Sequence, residues 1–513
     1  MLSKILIANR SEIALRIIRA CRELGVKTVT IFSDADRSSR HVSASDESYP
    51  IGPAPVSESY LNSDRIVELA SKVGADSIHP GYGFLAENHD FADKCEKQGI
   101  IFIGPSSKTL ALAGDKLTSR EVLRKNGIAV LPGSREVIVN SSRALDVAED
   151  IGWPLLLKAA YGGGGRGIRI ANSAQELEDL FDSANMEAKG AFGMPGMYLE
   201  KYLKSPRHIE FQILRDKKGH CVHLGERECS IQRRFQKLVE LSPSPIVGPK
   251  IRAQVGEIAK KVARIVEFQN AGTMEFLVDQ DLNFYFIEIN ARLQVEHAVT
   301  EMVTGVDIVK EQIRIASGSD LSVDQRMVCL RGAAIEFRIN AEDVTREFQP
   351  VTGNITDLDL PGGPGVRLDT AIYSGYHIPE YYDSMVAKLI VWGCDAMEAQ
   401  SRAHRALSEF IIGGIRTTIP LYLEIMRCDA FARGELSTDF IEREHLVEKM
   451  SKKNIELSDD YQIIAGIASA IHLSGKTQGL SSPKQAPVVD RKTKWCAEQR
   501  QIEEKFIGYA EGL

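Results

Sequence analysis

The sequence FYFIEINARLQVEHAVT, residues 284–300, organises the interpretation of the whole chain. Its first four residues are aromatic or apolar, and such a run predicts a short buried strand. Polar side chains then follow at every second position, namely Glu288, Asn290, Arg292, Gln294 and Glu296. Alternate side chains of an extended segment share one face, so we expect these five groups to lie side by side. A polar row that continues an apolar strand more often lines a cleft than faces solvent, because unpaired charges there are costly.

A second strand is predicted just upstream, over Thr273–Leu277, and the turn Gln280–Asn283 joins it to the first. The resulting hairpin places Glu275 and Glu288 on neighbouring strands. Two carboxylates so placed can hold magnesium beside the phosphates of a nucleotide. An acidic hairpin face without a metal is the alternative interpretation.

The composition is that of an ordinary globular protein. The 513 residues are 43% hydrophobic and 26% charged, and this length suits about three or four domains. The net charge of −7 argues against nucleic-acid binding as the main function, and no apolar run is long enough to span a bilayer. The eight cysteines include no Cys-x-x-Cys pair. Because the chain also leads directly into a strand without a signal peptide, we expect a reduced, cytoplasmic protein.

Residues 1–113 alternate predicted strands and helices in the manner of a parallel α/β domain. The strands are Lys4–Ala8, Lys27–Phe32 and Ile100–Ile103, and the helices are Glu12–Leu24, Ile66–Val73 and Phe91–Gln98. The first turn, Ala8–Glu12, lacks the G-x-G-x-x-G pattern of dinucleotide-binding folds. A nicotinamide-dependent enzyme is therefore excluded.

Residues 114–330 contain a glycine run between two predicted strands. The strand Leu155–Ala160 carries Lys158 near its end, Gly162–Gly167 follows, and Ile168–Ile170 is the next strand. Glycines let backbone amides approach a ligand closely, so together with the lysine they predict phosphate binding. A hairpin that binds nothing is the alternative. The pattern is not a P-loop, because no Gly-Lys-Ser/Thr follows and no helix begins there.

Two further stretches of this segment are candidate site edges. Tyr198–Leu203 is predicted as a strand that runs into a linker, whose backbone could hold an adenine ring. Gly225–Lys237 is crowded with charges, which is typical of a solvated loop, but its embedded apolar positions favour the edge of a site. Cys229 within this stretch is interpreted as an ordinary buried thiol.

Residues 331–446 are rich in predicted strands and suit a mixed, barrel-like or sandwich domain. The strands are Ala333–Ile339, Ile355–Leu358, Val366–Asp369 and Met385–Trp392, and the helix Ala396–Glu409 follows them. Residues 447–513 differ in character. The predicted helices Asp459–Leu473 and Lys492–Tyr509 flank the segment Gly475–Pro487, whose Gly, Ser, Pro and Gln content is typical of a flexible linker.

Six stretches together resemble the biotin carboxylases of the ATP-grasp superfamily along residues 1–446. They are Ile7–Arg10 with Glu12–Ala14, His79–Phe84 with Glu87–Asn88, Gly162–Gly167, Glu226–Lys237, Glu288–Glu296 and Tyr381–Met385. The resemblance implies an α/β ATP-grasp fold with a Rossmann-like N-terminal domain and a barrel-like or mixed C-terminal domain. It also implies that a mobile lid, spanning about residues 131–203, closes over ATP.

The resemblance further implies how ATP and metal ions are held. The residues expected to contact ATP are Lys116, Lys158, Gly163, Gly164, Gly165, Glu200, Lys201, Leu203, His208 and Gln232. Glu275 and Glu288, assisted by Asn290, are expected to hold two magnesium or manganese ions between the β- and γ-phosphates.

Bicarbonate activation is implied for a second group of residues. The groups expected to bind bicarbonate are the side chains of Lys237, Arg292 and Gln294 and the backbone of Val295. A planar guanidinium suits this planar oxyanion. Glu296 is expected to be the general base that deprotonates bicarbonate, so that carboxyphosphate forms and then collapses to CO2 and phosphate.

Biotin is expected to react next to the same site. The resemblance implies that the released phosphate removes the ureido proton of biotin, and that Arg338 stabilises the resulting enolate-like oxygen. A surface arginine on a strand is the alternative interpretation of Arg338. Tyr82 and Gly83 are expected to line the biotin pocket.

The sequence departs from the family pattern at six positions, none of which is assigned to the chemistry. They are Ser11 for glycine, Phe235 for histidine, Ala291 for Thr or Pro, Ala298 for Pro or Thr, Ala333 for histidine and Phe337 for cysteine. The histidine that Phe235 replaces lies near the nucleotide in relatives, so ATP affinity is the property that this change affects.

The expected partners follow from what the sequence lacks. It contains no Met-Lys-Met biotin-acceptor motif and no carboxyltransferase domain. We therefore expect biotin to arrive on a separate carrier protein and a carboxyltransferase partner to accept the carboxyl group. Relatives are commonly dimers, so a homodimer is expected. The tail resembles those of two-subunit pyruvate carboxylases and acyl-CoA carboxylase α-subunits and is expected to dock the partner, while the acceptor stays open among acetyl-CoA, propionyl-CoA, pyruvate and others.

Two other classes of function are weighed against this one. Another ATP-grasp ligase, such as a carboxylate–amine ligase or a carbamoyl phosphate synthetase half, would share the lysines and the metal-binding glutamates. It would not need Tyr82, Lys237, Glu296 and Arg338 together. A regulatory pseudoenzyme that only binds ATP would normally have lost a metal ligand or the base, and the sequence retains them. Fold alone does not separate these classes.

Overall fold

The structure is a computed structural model that describes residues 2–159, 169–192 and 196–451, apart from the side chains of residues 159 and 188–192. The predicted glycine run, with Gly163, Gly164 and Gly165, lies outside the described residues, as do the predicted tail elements Asp459–Leu473, Gly475–Pro487 and Lys492–Tyr509. Met1–Met450 forms one compact unit, and Ser451–Leu513 forms a second one. No helix of the described residues is long and apolar enough to cross a membrane.

The N-terminal segment alternates short strands with helices. Its elements are β1 Lys4–Ile7, α1 Ser11–Glu23, β2 Lys27–Ser33, α2 Arg40–Ala44, β3 Glu47–Gly52, α3 Ser63–Lys72, β4 Ser77–His79, α4 His89–Lys97, β5 Ile101–Phe102 and α5 Ser107–Gly114. The strands form one parallel sheet in the order β3-β2-β1-β4-β5. Helix α1 buries Ile13, Ile17 and Cys21, as their spacing on one helical face predicts. The predicted parallel α/β arrangement is confirmed.

A smaller sheet with its own core follows. The elements of this part are α6 Lys116–Lys125, α7 Ser141–Ile151, β6 Leu155–Ala159, β7 Arg169–Ala171, α8 Ala174–Phe192 and β8 Met197–Lys201. Strand β6 is the middle strand and pairs antiparallel with both of its neighbours. Leu157, Phe181 and Leu199 belong to an apolar cluster that contains only side chains of residues 138–199. This part therefore packs as a small layer in which helices cover one sheet.

The next elements carry the predicted hairpin. They are β9 Arg207–Arg215, β10 Cys221–Arg233, β11 Gln236–Ser242, α9 Pro249–Ile265, β12 Asn270–Val278, β13 Phe284–Asn290, α10 His297–Thr304 and α11 Ile308–Ala316. Strands β12 and β13 pair antiparallel, with Glu275 directly opposite Glu288. The hairpin and its cross-strand carboxylates are confirmed.

The remaining described elements complete the compact unit. They are β14 Ala333–Asn340, β15 Glu342–Asp343, β16 Gln349–Pro350, β17 Gly353–Asn354, β18 Leu358–Asp359, β19 Val366–Thr370, β20 His377–Ile378, β21 Met385–Gly393, α12 Ala396–Glu409, β22 Ile411–Ile412, α13 Ile419–Met426, α14 Asp429–Ala432 and α15 Phe440–Arg443. Three of these strands extend the sheet of the hairpin, which runs β13-β12-β9-β10-β11-β14-β21-β19 with antiparallel pairing. The C-terminal part is thus mixed α/β, and it shares one eight-stranded sheet with the part before it.

Two local predictions are wrong. Ile355–Leu358 is not one strand, because the amide of Ile355 donates to Tyr376 and that of Thr356 to Gly413, which holds the segment between loops. Most of the candidate site edge Gly225–Lys237 belongs to the buried strand β10, and only Arg234 and Phe235 form an exposed hairpin tip, so the alternative of a solvated loop does not apply.

The second correction concerns the polar row that follows Phe284–Ile287. The extended conformation ends at Asn290, and the chain then forms a loop until α10 begins at His297. Ala291 and Leu293 are buried and anchor this loop. The alternate polar side chains therefore converge by loop geometry and not along one strand face.

Candidate active site

Four predicted site residues converge on the carboxylate of Glu275. Oε1 of Glu275 accepts from Asn290 Nδ2 at 2.7 Å, from Lys237 Nζ at 2.9 Å and from Gln294 Nε2 at 3.0 Å. Oε2 lies 2.8 Å from Nε2 of His208. Burial alone raises the pKa of Glu275, but Lys237 and His208 outweigh it and hold the pKa at about 2. The carboxylate is ionised and fixed in place by groups from four different segments of the chain.

Glu288, on the neighbouring strand, pairs with a lysine instead. Its Oε2 lies 2.9 Å from Nζ of Lys116, at the start of helix α6. Burial raises the pKa of Glu288, but Lys116 outweighs this effect and holds it at about 2. Two ionised carboxylates on adjacent strands, with the amide of Asn290 beside them, are hard oxygen donors that fit a magnesium or manganese ion.

The second predicted lysine, Lys158, meets Glu200. Glu200 is buried, and its two oxygens contact Lys158 and Arg120. Arg120 also donates through Nε to the carbonyl of Ile287, 3.1 Å away, and so connects α6 to the hairpin. Sequence reasoning missed Arg120, because an arginine on a polar helix gives no signal that distinguishes it from a solvated residue.

The linker after β8 has fewer free groups for binding an adenine ring than the sequence suggests. Lys201 donates through Nζ to the carbonyl of Trp153 at 2.5 Å and through its amide to the carbonyl of Pro132 at 2.8 Å. Leu203 follows in a segment without regular structure and is partly exposed. Gln232 donates through Nε2 to Nδ1 of His208 at 2.7 Å, so these two predicted residues are in direct contact.

Lys237 is the electrostatic centre of the site. Its Nζ contacts Glu210, Glu275 and Glu296, the last at 2.7 Å. Burial lowers the pKa of Lys237, but the three carboxylates raise it well above its usual value. Sequence reasoning missed Glu210, although the alternation in His208–Gln212 predicted its strand.

Glu210 in turn is tied to a fully buried arginine. Arg227 contacts Glu210 through Nε and donates to Gln212 at 2.8 Å, to Thr273 at 3.0 Å and to Thr300 at 3.0 Å. The charge-rich stretch that was predicted as a site edge therefore lies mostly on strand β10, and its Arg227 holds Glu210, which is one of the partners of Lys237. The prediction that Cys229, on the same strand, is buried is confirmed.

Glu296 lies between two cations. Its Oε1 accepts from Lys237 at 2.7 Å, and its Oε2 accepts from Nη2 of Arg338 at 2.8 Å. Burial raises the pKa of Glu296, but Lys237 and Arg338 lower it below the usual range. Arg338 is not the surface residue of the alternative interpretation, because its Nε also donates to the buried Glu240 at 2.6 Å.

The loop between β13 and α10 is held by several contacts. Arg292 donates to Gln294 at 2.9 Å and to Asn290 at 3.0 Å, and its Nε lies 3.0 Å from Glu87. The carbonyl of Val295 accepts from Nζ of Lys388 at 2.8 Å. The guanidinium and the backbone that were predicted to hold an oxyanion are thus fixed by neighbouring side chains.

Tyr82 and Gly83 lie beside the N-terminal helix. The hydroxyl of Tyr82 donates to Glu12, on helix α1. Gly83 has a φ of +68°, a conformation that glycine adopts without strain. The contact with Glu12 places Tyr82 against the first helix, and Nζ of Lys388 lies 5.8 Å from the ring centre of Tyr82.

Two of the departures from the family pattern have a structural setting. Ser11 has a φ of +56°, which explains why glycine suits this position. Phe235 also has a positive φ, of +64°, and its side chain is 54% exposed at the hairpin tip. Phe337, Ala291 and Ala298 are buried in apolar surroundings and bear no polar group.

Three family profiles match successive parts of the chain. The biotin carboxylase N-terminal domain matches residues 1–110, the carbamoyl-phosphate synthase L chain ATP-binding domain matches residues 115–324, and the biotin carboxylase C-terminal domain matches residues 336–443.

Individual relatives are similar over nearly their whole length. A pyruvate carboxylase subunit of Methanothermobacter thermautotrophicus is 48% identical over 94% of this chain and 98% of its own, and biotin carboxylase 1 of Bacillus subtilis is 51% identical over 86% and 98%. Among solved structures, the biotin carboxylase domain of Hydrogenobacter thermophilus 2-oxoglutarate carboxylase, crystallised as a dimer with MgADP and bicarbonate, superposes with a TM-score of 0.85. It is 50% identical and covers 87% of this chain and 98% of its own.

Proposed function

The chain belongs to the biotin carboxylase family, and on this premise we propose that it uses ATP to carboxylate biotin with bicarbonate. The observation that supports the proposal is the position of Glu296. It is buried between Lys237 and Arg338, and the loop that precedes it connects it to the hairpin that carries Glu275 and Glu288. A base, an oxyanion-binding cation and a metal-binding hairpin are thus combined in one site. A carboxylate–amine ligase would need the hairpin and the lysines but not this arrangement.

At the phosphate end, we assign the binding of ATP to groups that are now paired with carboxylates. Lys116 and Lys158 contact Glu288 and Glu200, and each lysine can exchange a carboxylate for a phosphate oxygen of similar charge. Glu275, Glu288 and Asn290 would hold magnesium, which neutralises charge between the β- and γ-phosphates. His208 and Gln232 would complete the nucleotide contacts together with Lys201, Leu203 and the glycine run.

The bicarbonate step uses Lys237, Arg292, Gln294 and the amide of Val295 as anion-binding groups. Glu296 accepts the proton of bicarbonate, and a bicarbonate oxygen forms a bond to the γ-phosphorus of ATP while ADP leaves. The low pKa of Glu296 follows from Lys237 and Arg338, and it rises when the bound substrate draws these cations away. The product is carboxyphosphate, and the site excludes water that would hydrolyse it.

The biotin step follows on the side of Glu296 where Arg338 lies. Carboxyphosphate breaks its C–O bond to give CO2 and phosphate, and the phosphate accepts the N–H proton of the ureido group. The ureido nitrogen then forms a C–N bond to CO2. Arg338 faces the oxygen on which negative charge develops, and a fixed cation at that position lowers the barrier. Tyr82 and Gly83 would bound the pocket for the biotin ring.

The test is bicarbonate-dependent ATP hydrolysis by the purified chain, with and without free biotin. We expect biotin to stimulate hydrolysis, and the substitution Glu296→Ala to abolish both stimulation and turnover. The matched control is Glu178→Ala, which removes an exposed carboxylate from helix α8 and leaves the rates unchanged. Hydrolysis that ignores bicarbonate and biotin would assign the chain to another class of ATP-grasp ligase, and tight ATP binding without turnover would favour a pseudoenzyme.

We also propose a division of the chain into an N-terminal Rossmann-like domain (1–113), an ATP-grasp domain (114–330), a C-terminal domain (331–446) and a tail (447–513). The boundaries of the three family matches support it. The separate apolar core within residues 138–199 supports the assignment of about 131–203 as a lid that closes over ATP.

The length of one match favours a 2-oxo acid as the final carboxyl acceptor. The alignment with the pyruvate carboxylase subunit of M. thermautotrophicus covers 482 residues, more than the compact unit Met1–Met450 contains, whereas that with biotin carboxylase 1 covers 443. Part of the tail is therefore shared with a component of a pyruvate carboxylase. We propose that this chain works as a homodimer with a biotin carrier and a carboxyltransferase that accepts a 2-oxo acid.

This assignment is tested with a carboxylated, biotinylated carrier prepared by the chain itself. The carrier is offered to carboxyltransferases specific for pyruvate, 2-oxoglutarate or acetyl-CoA, and transfer is followed with labelled bicarbonate. We expect stable complexes and transfer with a carboxyltransferase for a 2-oxo acid. Complex formation with only the acetyl-CoA enzyme would contradict the acceptor proposal and leave biotin carboxylation intact.

A further inference from the structure

Two buried carboxyl groups lie behind Arg338. Glu240 on β11 and Glu336 on β14 are direct cross-strand partners, so their side chains share one face of the central sheet. Both residues are completely buried. Arg338 lies two positions further along β14, on the same face, and donates through Nε to Oε1 of Glu240 at 2.6 Å. Glu240 therefore contacts the guanidinium at Nε, whereas Glu296 contacts it at Nη2.

Three of the four oxygens in this pair lack a hydrogen-bond partner among the described residues. They are Oε2 of Glu240 and both oxygens of Glu336. Buried carboxylate oxygens without donors are among the most unfavourable groups in a protein interior. A single proton changes this, because a protonated carboxyl donates to the neighbouring carboxylate. One such hydrogen bond would pair Oε2 of Glu240 with one oxygen of Glu336, so that a single oxygen of the pair is left without a partner among the described residues.

The surrounding charges do not supply a second cation for the pair. The charged and titratable groups that face it are Arg338 on β14, Lys237 on β11, Lys388 on β21, Glu296 just before α10, Cys229 on β10 and Tyr422 on α13. Arg338 is shared with Glu296, and Lys237 contacts three other carboxylates. Burial raises the pKa of Cys229 and that of Tyr422 above their usual values, so both groups are neutral.

Lys388 is occupied as well. Its Nζ donates to the carbonyl of Val295 and lies 3.5 Å from Glu12 and 3.9 Å from Asp369. On the remaining side, the cross-strand partner of Glu336 is Ile390, which belongs to an apolar cluster with Ala298 and Val299 of α10. Two full negative charges at this position would face one shared arginine, two lysines that already contact other groups and an apolar wall.

We propose that Glu240 and Glu336 share one proton, and that the pair thereby presents a single negative charge that positions the guanidinium of Arg338. This charge fixes Nε and leaves the Nη atoms directed at Glu296 and the substrate. A doubly ionised pair would hold Arg338 too strongly, and a neutral pair would release it. Burial, as the largest effect, raises the pKa of Glu240 to about 7 and that of Glu336 well above its usual range. The positioning role rests on the proposed function, whereas the shared proton does not.

The proton is tested by infrared difference spectroscopy on the full-length chain without substrates. The wild-type minus Glu336→Gln spectrum is expected to show a carboxylic-acid C=O stretch at neutral pH that disappears in alkaline buffer. Glu240→Gln is expected to remove the same band. The control is Glu311→Gln, because Glu311 is buried but accepts from Arg314 and Ser322. Absence of the band from both difference spectra would overturn the proposal.

The positioning role is tested by the pH profile of biotin-stimulated ATP hydrolysis. Glutamine at position 336 cannot lose a proton, so Glu336→Gln is expected to move the alkaline decline in rate to higher pH. Glu240→Gln keeps an oxygen that can accept from Nε but removes its charge, and it is expected to raise the KM for biotin about tenfold, as for the weakening of one hydrogen bond to a charged group. A uniform loss of rate with the wild-type pH profile, in variants that unfold at the wild-type temperature, would show a merely structural role.

These measurements distinguish a failure of the proposed function from a failure of the shared-proton proposal. If the wild-type chain shows no biotin-stimulated hydrolysis, the proposed function fails while the infrared band still decides the shared proton. If hydrolysis is stimulated but the band is absent, only the proton-sharing proposal fails.

Discussion

Nη2 of Arg338 donates to Oε2 of Glu296 at 2.8 Å, so the proposed base and the proposed oxyanion-stabilising cation are paired with each other in the structure. Each helps to keep the other charged against the effect of burial, since Lys237 and Arg338 lower the pKa of Glu296, and Glu240 and Glu296 raise that of Arg338 above its usual value. In the proposed mechanism, substrate separates this pair before either group acts. The base therefore gains proton affinity only when bicarbonate is in place, which limits unproductive proton uptake.

Because Glu296 is assigned to the bicarbonate step and Arg338 to the biotin step, we expect the loss of Arg338 to affect mainly the carboxylation of biotin. In Arg338→Gln, we expect biotin carboxylation to fall by about a hundredfold, in the range found when one oxyanion-binding donor is lost. Biotin-independent, bicarbonate-dependent ATP hydrolysis is expected to persist, because Lys237 still contacts Glu296. Both rates are measured on the same preparation.

The control for this substitution is Arg326→Gln, which changes an arginine whose side chain is 90% exposed. It is expected to leave both rates unchanged. Equal losses of the two activities in Arg338→Gln would contradict the assignment and point to general damage of the site.

The metal-binding hairpin predicts a change in metal requirement. In Glu275→Gln, the site keeps its shape, because the amide can still accept from Asn290 and Lys237, but it loses a charged ligand. We expect the magnesium concentration for half-maximal ATP hydrolysis to rise by about 10- to 100-fold. A chelator is expected to abolish the activity of the wild-type chain.

This prediction is measured by titrating magnesium at saturating ATP. Glu178→Gln, on the exposed face of α8, is the matched control and should follow the wild-type curve. An unchanged magnesium curve for Glu275→Gln, whatever its maximal rate, would remove Glu275 from the set of metal ligands.

The backbone conformation of Ser11 predicts that the substitution Ser11→Gly stabilises the protein. It begins helix α1 with a φ of +56°, in the left-handed region where a Cβ atom is strained by about 1–2 kcal/mol. Ser11→Gly relieves this strain but adds freedom to the unfolded chain, so the free energy of unfolding is expected to rise by up to about 1 kcal/mol. Urea denaturation followed by circular dichroism measures the change.

The same substitution in the middle of a helix should have the opposite sign. Ser183→Gly, on helix α8, is expected to lower the free energy of unfolding by about 0.5–1 kcal/mol, because glycine disfavours helix interiors. If both variants are destabilised alike, strain at Ser11 is not the reason for glycine at this position in relatives.

The hairpin was predictable from sequence because it is local. Strands, turn and carboxylates all lie within residues 273–290, and the period of two fixes which side chains face each other. Glu240 and Glu336 carried no such signal. They are single glutamates on strands separated by almost a hundred residues, and they meet only because β11 pairs with β14 in the sheet order.

The polar row from Arg292 to Glu296 shows a second limit. Its spacing predicts one extended face, yet the residues meet because the chain leaves the sheet after Asn290 and turns into α10. Their proximity was predicted with the wrong backbone conformation. Spacing identifies which groups are available, whereas the burial of Ala291 and Leu293 decides where the loop places them.

The final prediction concerns the tail, which we expect to dock the carboxyltransferase partner. Met1–Met450 is a compact unit with its own apolar cores and contains every described residue of the proposed site. Deleting residues from Asp459 onward is therefore expected to spare the carboxylation of free biotin and to abolish co-purification with the carboxyltransferase. A shorter deletion, from Lys492 onward, separates the contributions of the two predicted helices. Because catalysis and assembly are measured separately, loss of both in the longer deletion would show that the tail supports the catalytic unit itself, and retention of both would remove it from the interface.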